Sequence, residues 1–149
     1  MKLLVTAPQG VIRESFLPKQ VRDRLESVAE VEYNTLSRNW TPEELRDRLH
    51  GVDVALTGWG TTLFDETVLA GADRLRLIAH TGGSVTPDMS DAAYDRGIRV
   101  ISGNEMYAES VAESVIAYAL TALRKIPDYL ERTRNGGWYE NGEVWEGLL

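Results

Sequence analysis

Length, composition and charge narrow the classes to which this chain can belong. It has 149 residues, 43% of them hydrophobic, no cysteine, and a formal net charge of −7 from 16 Lys+Arg and 23 Asp+Glu. A chain of this length can bury its own core, so we expect one principal domain. The lack of cysteine excludes disulfide scaffolds, cysteine-based zinc sites and thiol nucleophiles. The acidic balance argues against a general nucleic-acid binder, which normally presents a basic face.

The apolar segments predict no export signal and no membrane span. The run at residues 1–5 is too short for a secretory signal. The longest apolar segment, residues 111–126, is interrupted by Glu113, Arg124 and Lys125, and it is too short and too polar to cross a bilayer. We therefore expect a cytoplasmic protein with no membrane partner and no nucleic-acid partner.

Short apolar runs alternate along the chain with segments of helical periodicity. Strands are predicted at residues 3–5, 31–33, 52–57, 75–80 and 98–101. Helices are predicted at residues 18–29, 41–50, 65–70, 88–96 and 107–134. The second of these begins with the capping-box sequence Thr41-Pro42-Glu43-Glu44, and Pro127 should kink or restart the last.

This alternation predicts parallel βαβ units with helices on both faces of one sheet. The expected architecture is a flavodoxin-like, doubly wound parallel sheet of five strands in the order 2-1-3-4-5, followed by a long C-terminal helix. We expect a domain at residues 1–103, an interdomain-type helix at residues 104–134, and a tail at residues 135–149.

The polar residues that could carry chemistry each have a structural interpretation as well. His80 ends a predicted strand, where it is more readily a satisfied polar residue than a general base, because no orienting partner is visible. His50 suits the end of a helix, and two isolated histidines do not make a convincing metal site. Glu109 and Glu113 share a helix face, where carboxylates near a helix start commonly stabilise its dipole.

Several segments of the chain, in their order and spacing, resemble the D-isomer-specific 2-hydroxyacid dehydrogenases. They are Leu75–Ser84, Gly97–Val100, Val111–Glu113 at the start of a long helix that reaches Lys125, and Gly137-Trp138. The resemblance covers nearly the whole chain, most closely residues 52–138. It implies a substrate-binding domain followed by the helix that leads into an NAD-binding domain, and hydride transfer between NAD or NADP and a small 2-hydroxy or 2-keto acid.

The resemblance also implies which residues contact the substrate. Gly82, Gly83 and Ser84 match a loop whose backbone amides face the substrate carboxylate, and Thr81 leads into that loop. Glycines allow a backbone to approach a ligand closely, and oriented N–H groups favour an anion. Trp59-Gly60 falls where the family has a substrate-side loop, although Trp59 could equally well cover the end of the sheet.

The resemblance places Tyr107 and Val111 near the nicotinamide, but the chain also departs from the family pattern. Tyr107 stands where the family often has asparagine, and Val85-Thr86 stands where an acidic or amide residue is usual. The dinucleotide fingerprint and the family's catalytic Arg, Glu and His do not occur in the 149 residues. We therefore assign no catalytic residue and no metal ligand, and expect neither bound cofactor nor dehydrogenase turnover from this chain alone.

Three functions remain open from the sequence. The first is the substrate-domain portion of such a dehydrogenase, whose partners are the missing NAD-binding domain or a second copy that forms a homodimer through the long helix. The second is a non-enzymatic module that binds a carboxylate or dimerises. The third is a flavodoxin-like electron carrier, against which the lack of a phosphate-binding loop argues.

Overall fold

The computed structural model describes residues 1–137, and these form a parallel five-stranded sheet with helices on both faces. The strands are β1 (Lys2–Val5), β2 (Glu30–Tyr33), β3 (Val54–Thr57), β4 (Leu77–His80) and β5 (Arg99–Ser102). The helices are α1 (Val11–Phe16), α2 (Lys19–Val28), α3 (Pro42–Arg48), α4 (Glu66–Leu69), α5 (Asp91–Asp95), α6 (Asn104–Leu123) and α7 (Ile126–Arg134).

The strand order is β2-β1-β3-β4-β5, which confirms the predicted architecture. Neighbouring strands pair in a common register: Leu3 lies opposite Val54, and Val54 lies opposite Leu77. In a parallel sheet with this order, the carboxyl ends of all strands meet at one edge, where such folds bind their ligands.

Alternating side chains of the strands build two hydrophobic clusters, one on each face of the sheet. Leu4, Ala55 and Ile78 belong to the larger cluster, which also contains the buried side chains of α3, α4 and α5. Leu3 and Val5 form the smaller cluster on the opposite face. Both faces are therefore apolar at their centres, as the alternation of helices and strands requires.

The capping box of α3 is present as predicted. The Thr41 side chain accepts a hydrogen bond from the Glu44 backbone N–H at 3.3 Å, and Glu44 Oε2 accepts one from the Thr41 N–H at 2.8 Å. Arg38 also pairs with the Glu44 carboxylate. The hydrogen bond from Arg38, together with that from the Thr41 N–H, lowers the pKa of Glu44 to about 2.

Strands β3 and β4 begin two residues later than predicted, and helices α1 and α5 differ more clearly from the sequence prediction. Helix α1 was not predicted, because its six residues include no fully buried side chain and no capping side chain. Helix α5 begins at Asp91 rather than at residue 88. Met89 forms an isolated parallel bridge with Phe64, and Ser90 Oγ donates to the Phe64 carbonyl. The chain is therefore extended at residues 89 and 90, between a turn at residues 86–88 and the helix.

The long helical region begins earlier than predicted and restarts where expected. Helix α6 starts at Asn104 instead of residue 107, directly after the Gly103 N–H bonds the carbonyls of His80 and Gly82. Lys125 then adopts a left-handed conformation with φ 48°, and α7 follows with Pro127 in its first turn.

The chain divides into two compact units, Met1–Glu105 and the part from Met106 onward. The domain limits at residues 103 and 134 stay a prediction. Most of the predicted tail, including Trp138, lies outside the described residues. Among the described residues, no helix is long and apolar enough to cross a membrane.

A buried carboxylate joins strands at the amino-terminal edge of the sheet. Asp53 is 3% exposed and accepts a hydrogen bond from the Lys2 backbone N–H at 2.8 Å. It also forms an ion pair with Arg74, at 3.0 Å. The hydrogen bond from Lys2, together with Arg74 and Arg76, lowers the pKa of Asp53. This group ties β1 to the loop before β4, at the edge opposite the candidate site.

Candidate functional site

Loops that follow β1, β3, β4 and β5 meet at the carboxyl edge of the sheet. The adjacent ends of β3 and β4 are cross-linked: the Thr81 N–H donates to the Thr57 carbonyl at 2.9 Å, and Thr81 Oγ1 donates to the same carbonyl at 3.0 Å. The Gly103 N–H after β5 donates to the Gly82 carbonyl at 2.9 Å. These bonds fix the path of the loop at residues 81–84 from both sides.

His80 is a buried, hydrogen-bonded residue beneath this loop. It is 4% exposed, and its Nδ1 lies 2.9 Å from Thr57 Oγ1 and 3.7 Å from the carboxylate of Asp88. Burial raises the pKa of Asp88, and the nearby His80 opposes that shift. The imidazole is held at its position by Thr57, as expected of a polar residue that is satisfied in the interior.

Gly82 lies where no larger residue fits. A Cβ atom added there would stand 2.5 Å from His80 Nε2 and 2.7 Å from Trp59 Nε1. At Gly83 the corresponding contact is looser, at 3.3 Å from Asn104 Oδ1. The double glycine therefore has a structural cause as well as a functional one, because the loop passes directly over two rings.

The backbone N–H groups of the same loop differ in exposure, because Gly82 is buried, Gly83 is half-buried and Ser84 is exposed. None of the residues that the structure describes accepts a hydrogen bond from the N–H groups of Gly82, Gly83 or Ser84. Successive unpaired N–H groups at a turn form a concavity that favours an anion, particularly a carboxylate with two acceptor oxygens. This is the chemical capacity that the resemblance assigns to these three residues.

Trp59 and Gly60 occupy the neighbouring loop after β3. The Trp59 indole is 61% exposed and packs edge-on against Phe16, with ring centroids 4.9 Å apart at 84°. Gly60 adopts φ 70°, a left-handed conformation suited to glycine, and its carbonyl accepts a hydrogen bond from the Asn39 amide. Trp59 therefore borders the glycine loop on one side and α1 on the other.

The predicted nicotinamide-side residues lie on α6, in the second unit. Tyr107 and Val111 are four residues apart and share a helix face, with 39% and 59% of their surface exposed. Glu109 and Glu113 have the same spacing and are also exposed. A role for any of these four residues stays a prediction.

The remaining candidates are placed as follows. His50 comes directly after Leu49, the C-cap of α3, and its Nδ1 lies 3.8 Å from Asp73 Oδ2. In the part of the chain that is described, no group of three or more His, Asp or Glu side chains could hold a metal ion.

Sequence reasoning missed two residues near the site. Arg13 on α1 is buried enough that its Nε is inaccessible and lacks a hydrogen-bond partner among the described residues, while its Nη1 donates to the Asn34 carbonyl at 2.7 Å. Asn104, at the start of α6, lies beside Gly83. A partly buried arginine in a six-residue helix gives no sequence signal. Asn104 was hidden because the helix was predicted to begin three residues later.

The fold is an α/β domain with a glycine loop at the carboxyl edge of a parallel sheet, the edge at which such folds bind their ligands. The family model described as D-isomer specific 2-hydroxyacid dehydrogenase, catalytic domain, matches residues 11–140. This chain therefore belongs to the D-isomer specific 2-hydroxyacid dehydrogenase family, which confirms the resemblance read from its motifs.

Individual relatives agree with this assignment. A D-3-phosphoglycerate dehydrogenase of Methanocaldococcus jannaschii is 31% identical over 138 residues, which are 93% of this chain and 24% of that protein. A crystal structure of a Pyrococcus horikoshii protein matches with a TM-score of 0.74 and 25% identity, over 99% of this chain and 41% of that one.

A third relative shares the fold alone. A D-lactate dehydrogenase of Aquifex aeolicus, solved with NAD and lactic acid, matches with a TM-score of 0.64 and 19% identity, over 98% of this chain and 40% of that one. In these comparisons the chain spans between about a quarter and two fifths of the length of the proteins it matches.

Proposed function

We propose that this chain is the substrate-binding part of an NAD- or NADP-dependent D-2-hydroxyacid dehydrogenase and that it binds a 2-oxo or 2-hydroxy acid through the loop at residues 81–84. Family membership supports the reaction class. The binding site is supported by one observation: the N–H groups of Gly82, Gly83 and Ser84 donate no hydrogen bond to any described residue.

The loop would bind the substrate carboxylate by backbone donation. A carboxylate that accepts two or three N–H bonds gains about 1.5–3 kcal/mol from each, because one partner is charged. Gly82 lets the loop lie directly against the rings of His80 and Trp59, because it has no side chain. Thr81 holds the loop on β3 through its two bonds to the Thr57 carbonyl, and Trp59-Gly60 flanks the carboxylate site.

His80 is assigned a positioning role and not acid–base chemistry. Its Nδ1 lies 2.9 Å from Thr57 Oγ1, its Nε2 lies beside Gly82, and only 4% of its surface is exposed. We assign no catalytic residue to this chain, so the group that exchanges a proton with the substrate lies outside it in this proposal.

The residues of this chain do not fit a dinucleotide site. The 149 residues include no G-x-G-x-x-G sequence, which would place a pyrophosphate at a helix N-terminus. We therefore propose that NAD or NADP binds to residues outside this chain, with Tyr107 and Val111 bordering the nicotinamide in the intact enzyme. We also propose a cytoplasmic location, as the acidic, cysteine-free composition suggests.

Binding and turnover separate the parts of this proposal. Isothermal titration calorimetry with oxamate, a stable 2-oxo acid analogue, should show one binding site. The Gly83→Pro variant should bind oxamate more weakly, because proline removes a donor N–H. NADH and NADPH oxidation with a panel of 2-keto acids should show no turnover by the 149-residue chain. Measurable turnover would overturn the assignment of the chemistry to residues outside it.

A second candidate function is dimerisation through α6. Its apolar side chains Val115, Ile116, Leu120 and Leu123 are each more than half exposed, and contiguous exposed apolar surface is typical of an interface. We propose that a second copy of this chain, or an NAD-binding domain, covers this helix. Light scattering at increasing concentration should give the mass of a dimer, whereas a monomeric mass throughout would rule out the homodimer.

A further inference from the structure

An apolar cavity lies beside the glycine loop, within the first unit. It is a partly open cavity of about 450 Å³ between the loop after β1, helix α1 and the loop after β3. The apolar side chains that line it include Val5, Ala7, Ile12, Phe16, Leu17 and Leu56. Its volume lies within the range of small-molecule sites, and a mainly apolar lining with a few polar groups is typical of them.

The cavity adjoins the proposed carboxylate site. Thr81 and Trp59 both line it. Trp59 Nε1 is also within 2.7 Å of the position that a Gly82 Cβ would take. A molecule whose carboxylate lies on the glycine loop can therefore extend its other end past Trp59 into the cavity.

The walls of the cavity are held in place. Phe16 packs edge-on against Trp59, and Leu17 is buried in the smaller hydrophobic cluster. Arg13 Nη1 ties α1 to the Asn34 carbonyl after β2, and the guanidinium lies 5.8 Å from the centre of the Tyr33 ring. A cavity with fixed walls accepts a ligand without the entropic cost of ordering a loop.

The charges at the cavity favour an uncharged occupant. Arg13 is the one charged residue among the described residues that line it. Its Nη1 already donates a hydrogen bond to the Asn34 backbone carbonyl, and its Nε is inaccessible to solvent. A phosphate group would need several donors to offset its desolvation in such surroundings, whereas a hydrocarbon group needs none.

We propose that this cavity binds the substrate's side chain and that the chain therefore selects 2-oxo acids with a branched aliphatic or aromatic side chain. The inference rests on the proposed function, because it takes the carboxylate to lie on the loop at residues 82–84. In this inference α1 and the loop after β1 determine which substrate side chain is bound, whereas the glycine loop binds the carboxylate.

The test is an amide NMR titration of the 149-residue chain with four probes. These are 4-methyl-2-oxopentanoate, glyoxylate, phosphohydroxypyruvate, and the neutral ketone 4-methyl-2-pentanone. Burial of one methylene group is worth roughly fourfold in affinity. We expect 4-methyl-2-oxopentanoate to bind at least about tenfold more tightly than glyoxylate, on the order of two to three buried carbons, and to shift the amides of both Gly83 and Ile12.

Matched variants locate the effect. Ala7→Phe fills the cavity and should abolish most of the preference for 4-methyl-2-oxopentanoate. Ala70→Phe makes the same change at an exposed position after α4 and should leave the preference intact. Ile12→Asp, at a residue that is 59% exposed, offers a second test that the fold can tolerate. This variant should lower the affinity for 4-methyl-2-oxopentanoate, because it places a carboxylate at the cavity wall.

The outcomes separate this inference from the proposed function. Equal affinity for glyoxylate and 4-methyl-2-oxopentanoate, with both shifting the amides of residues 82–84, would refute the cavity's role and leave the carboxylate site standing. Tighter binding of phosphohydroxypyruvate would refute it in the same way. If no acid shifts those amides while the neutral ketone shifts Ile12 and Leu56, the carboxylate site is wrong and the cavity is not a substrate subsite.

Discussion

Substitution of Gly82 by alanine probes the tightest feature of the site. The new Cβ would stand 2.5 Å from His80 Nε2 and 2.7 Å from Trp59 Nε1, distances below any that a real Cβ contact tolerates. The φ angle of Gly82 lies outside the left-handed region, so alanine fits the backbone and the cost is purely one of overlap.

The size of the effect depends on which ring can move. Trp59 is 61% exposed and can rotate away, but His80 is 4% exposed and is held by Thr57 at 2.9 Å. The loop must therefore shift, and it is itself held by Gly103. Overpacking at a constrained site costs about 1–3 kcal/mol, which corresponds to a fall in melting temperature of at least about 4 °C for a unit of this size.

The assay is urea unfolding of Gly82→Ala beside the matched variant Gly83→Ala. At Gly83 the added Cβ meets only Asn104 Oδ1, at 3.3 Å, so this variant should lose less than about 1 kcal/mol. Combining Gly82→Ala with Trp59→Ala should recover part of the loss, since one of the two overlaps disappears. Equal stability of the two glycine variants would refute the steric explanation of the loop.

Three further predictions concern groups away from the loop. Thr41→Ala should lower the free energy of unfolding by about 1 kcal/mol in urea titrations, because it removes the N-cap of α3; an unchanged value would show that the cap is not stabilising. The Tyr33 hydroxyl donates to Glu26, and burial first, then this hydrogen bond, raises its pKa to about 12. The stability from Tyr33 is therefore complete below pH 10 and is lost as the pH rises towards 12. In Glu26→Gln, the Tyr33 ring resonances should titrate at a lower pH than in the parent chain, and an identical titration would contradict this cause. The lowered pKa of Asp53 means that its stabilisation holds above pH 3.8 and is lost as the pH falls below that value. Asp53→Asn should therefore lower the urea midpoint at about pH 7 and reduce its decline in acid, whereas a midpoint equal to that of the parent would show that the buried carboxylate does not stabilise the fold.

The sheet was predictable because its signals are local. Apolar runs of strand length alternate with helical periods, and crossover handedness leaves few strand orders to choose from. The capping box at Thr41 is complete within four residues. Such features depend on neighbours in the sequence, and the structure confirms them.

The missed elements depend on contacts distant in the sequence. Helix α1 is fixed by Phe16 against Trp59 and by Arg13 against Asn34, pairs that no local pattern reveals. The late start of α5 follows from the bridge between Phe64 and Met89. Tertiary pairing therefore overrode local propensity at both places.

The candidate site was predictable only in part. Family resemblance selected the double glycine, but the reason that Gly82 must be glycine lies in two rings that the sequence separates from each other by 21 positions. The apolar cavity behind Trp59 has no signature in the sequence, because residues of β1, α1 and β3 line it together. The roles of Tyr107 and Val111 stay predictions.

The central claim is that the backbone amides of residues 82–84 bind the carboxylate of a 2-oxo acid. An amide NMR titration of the 149-residue chain with oxamate measures this directly. We predict saturable shifts of the Gly82, Gly83 and Ser84 resonances with one dissociation constant, and no comparable shift with the neutral analogue acetamide. Saturation of the chain with these three resonances unmoved, or equal shifts with acetamide, would contradict the claim.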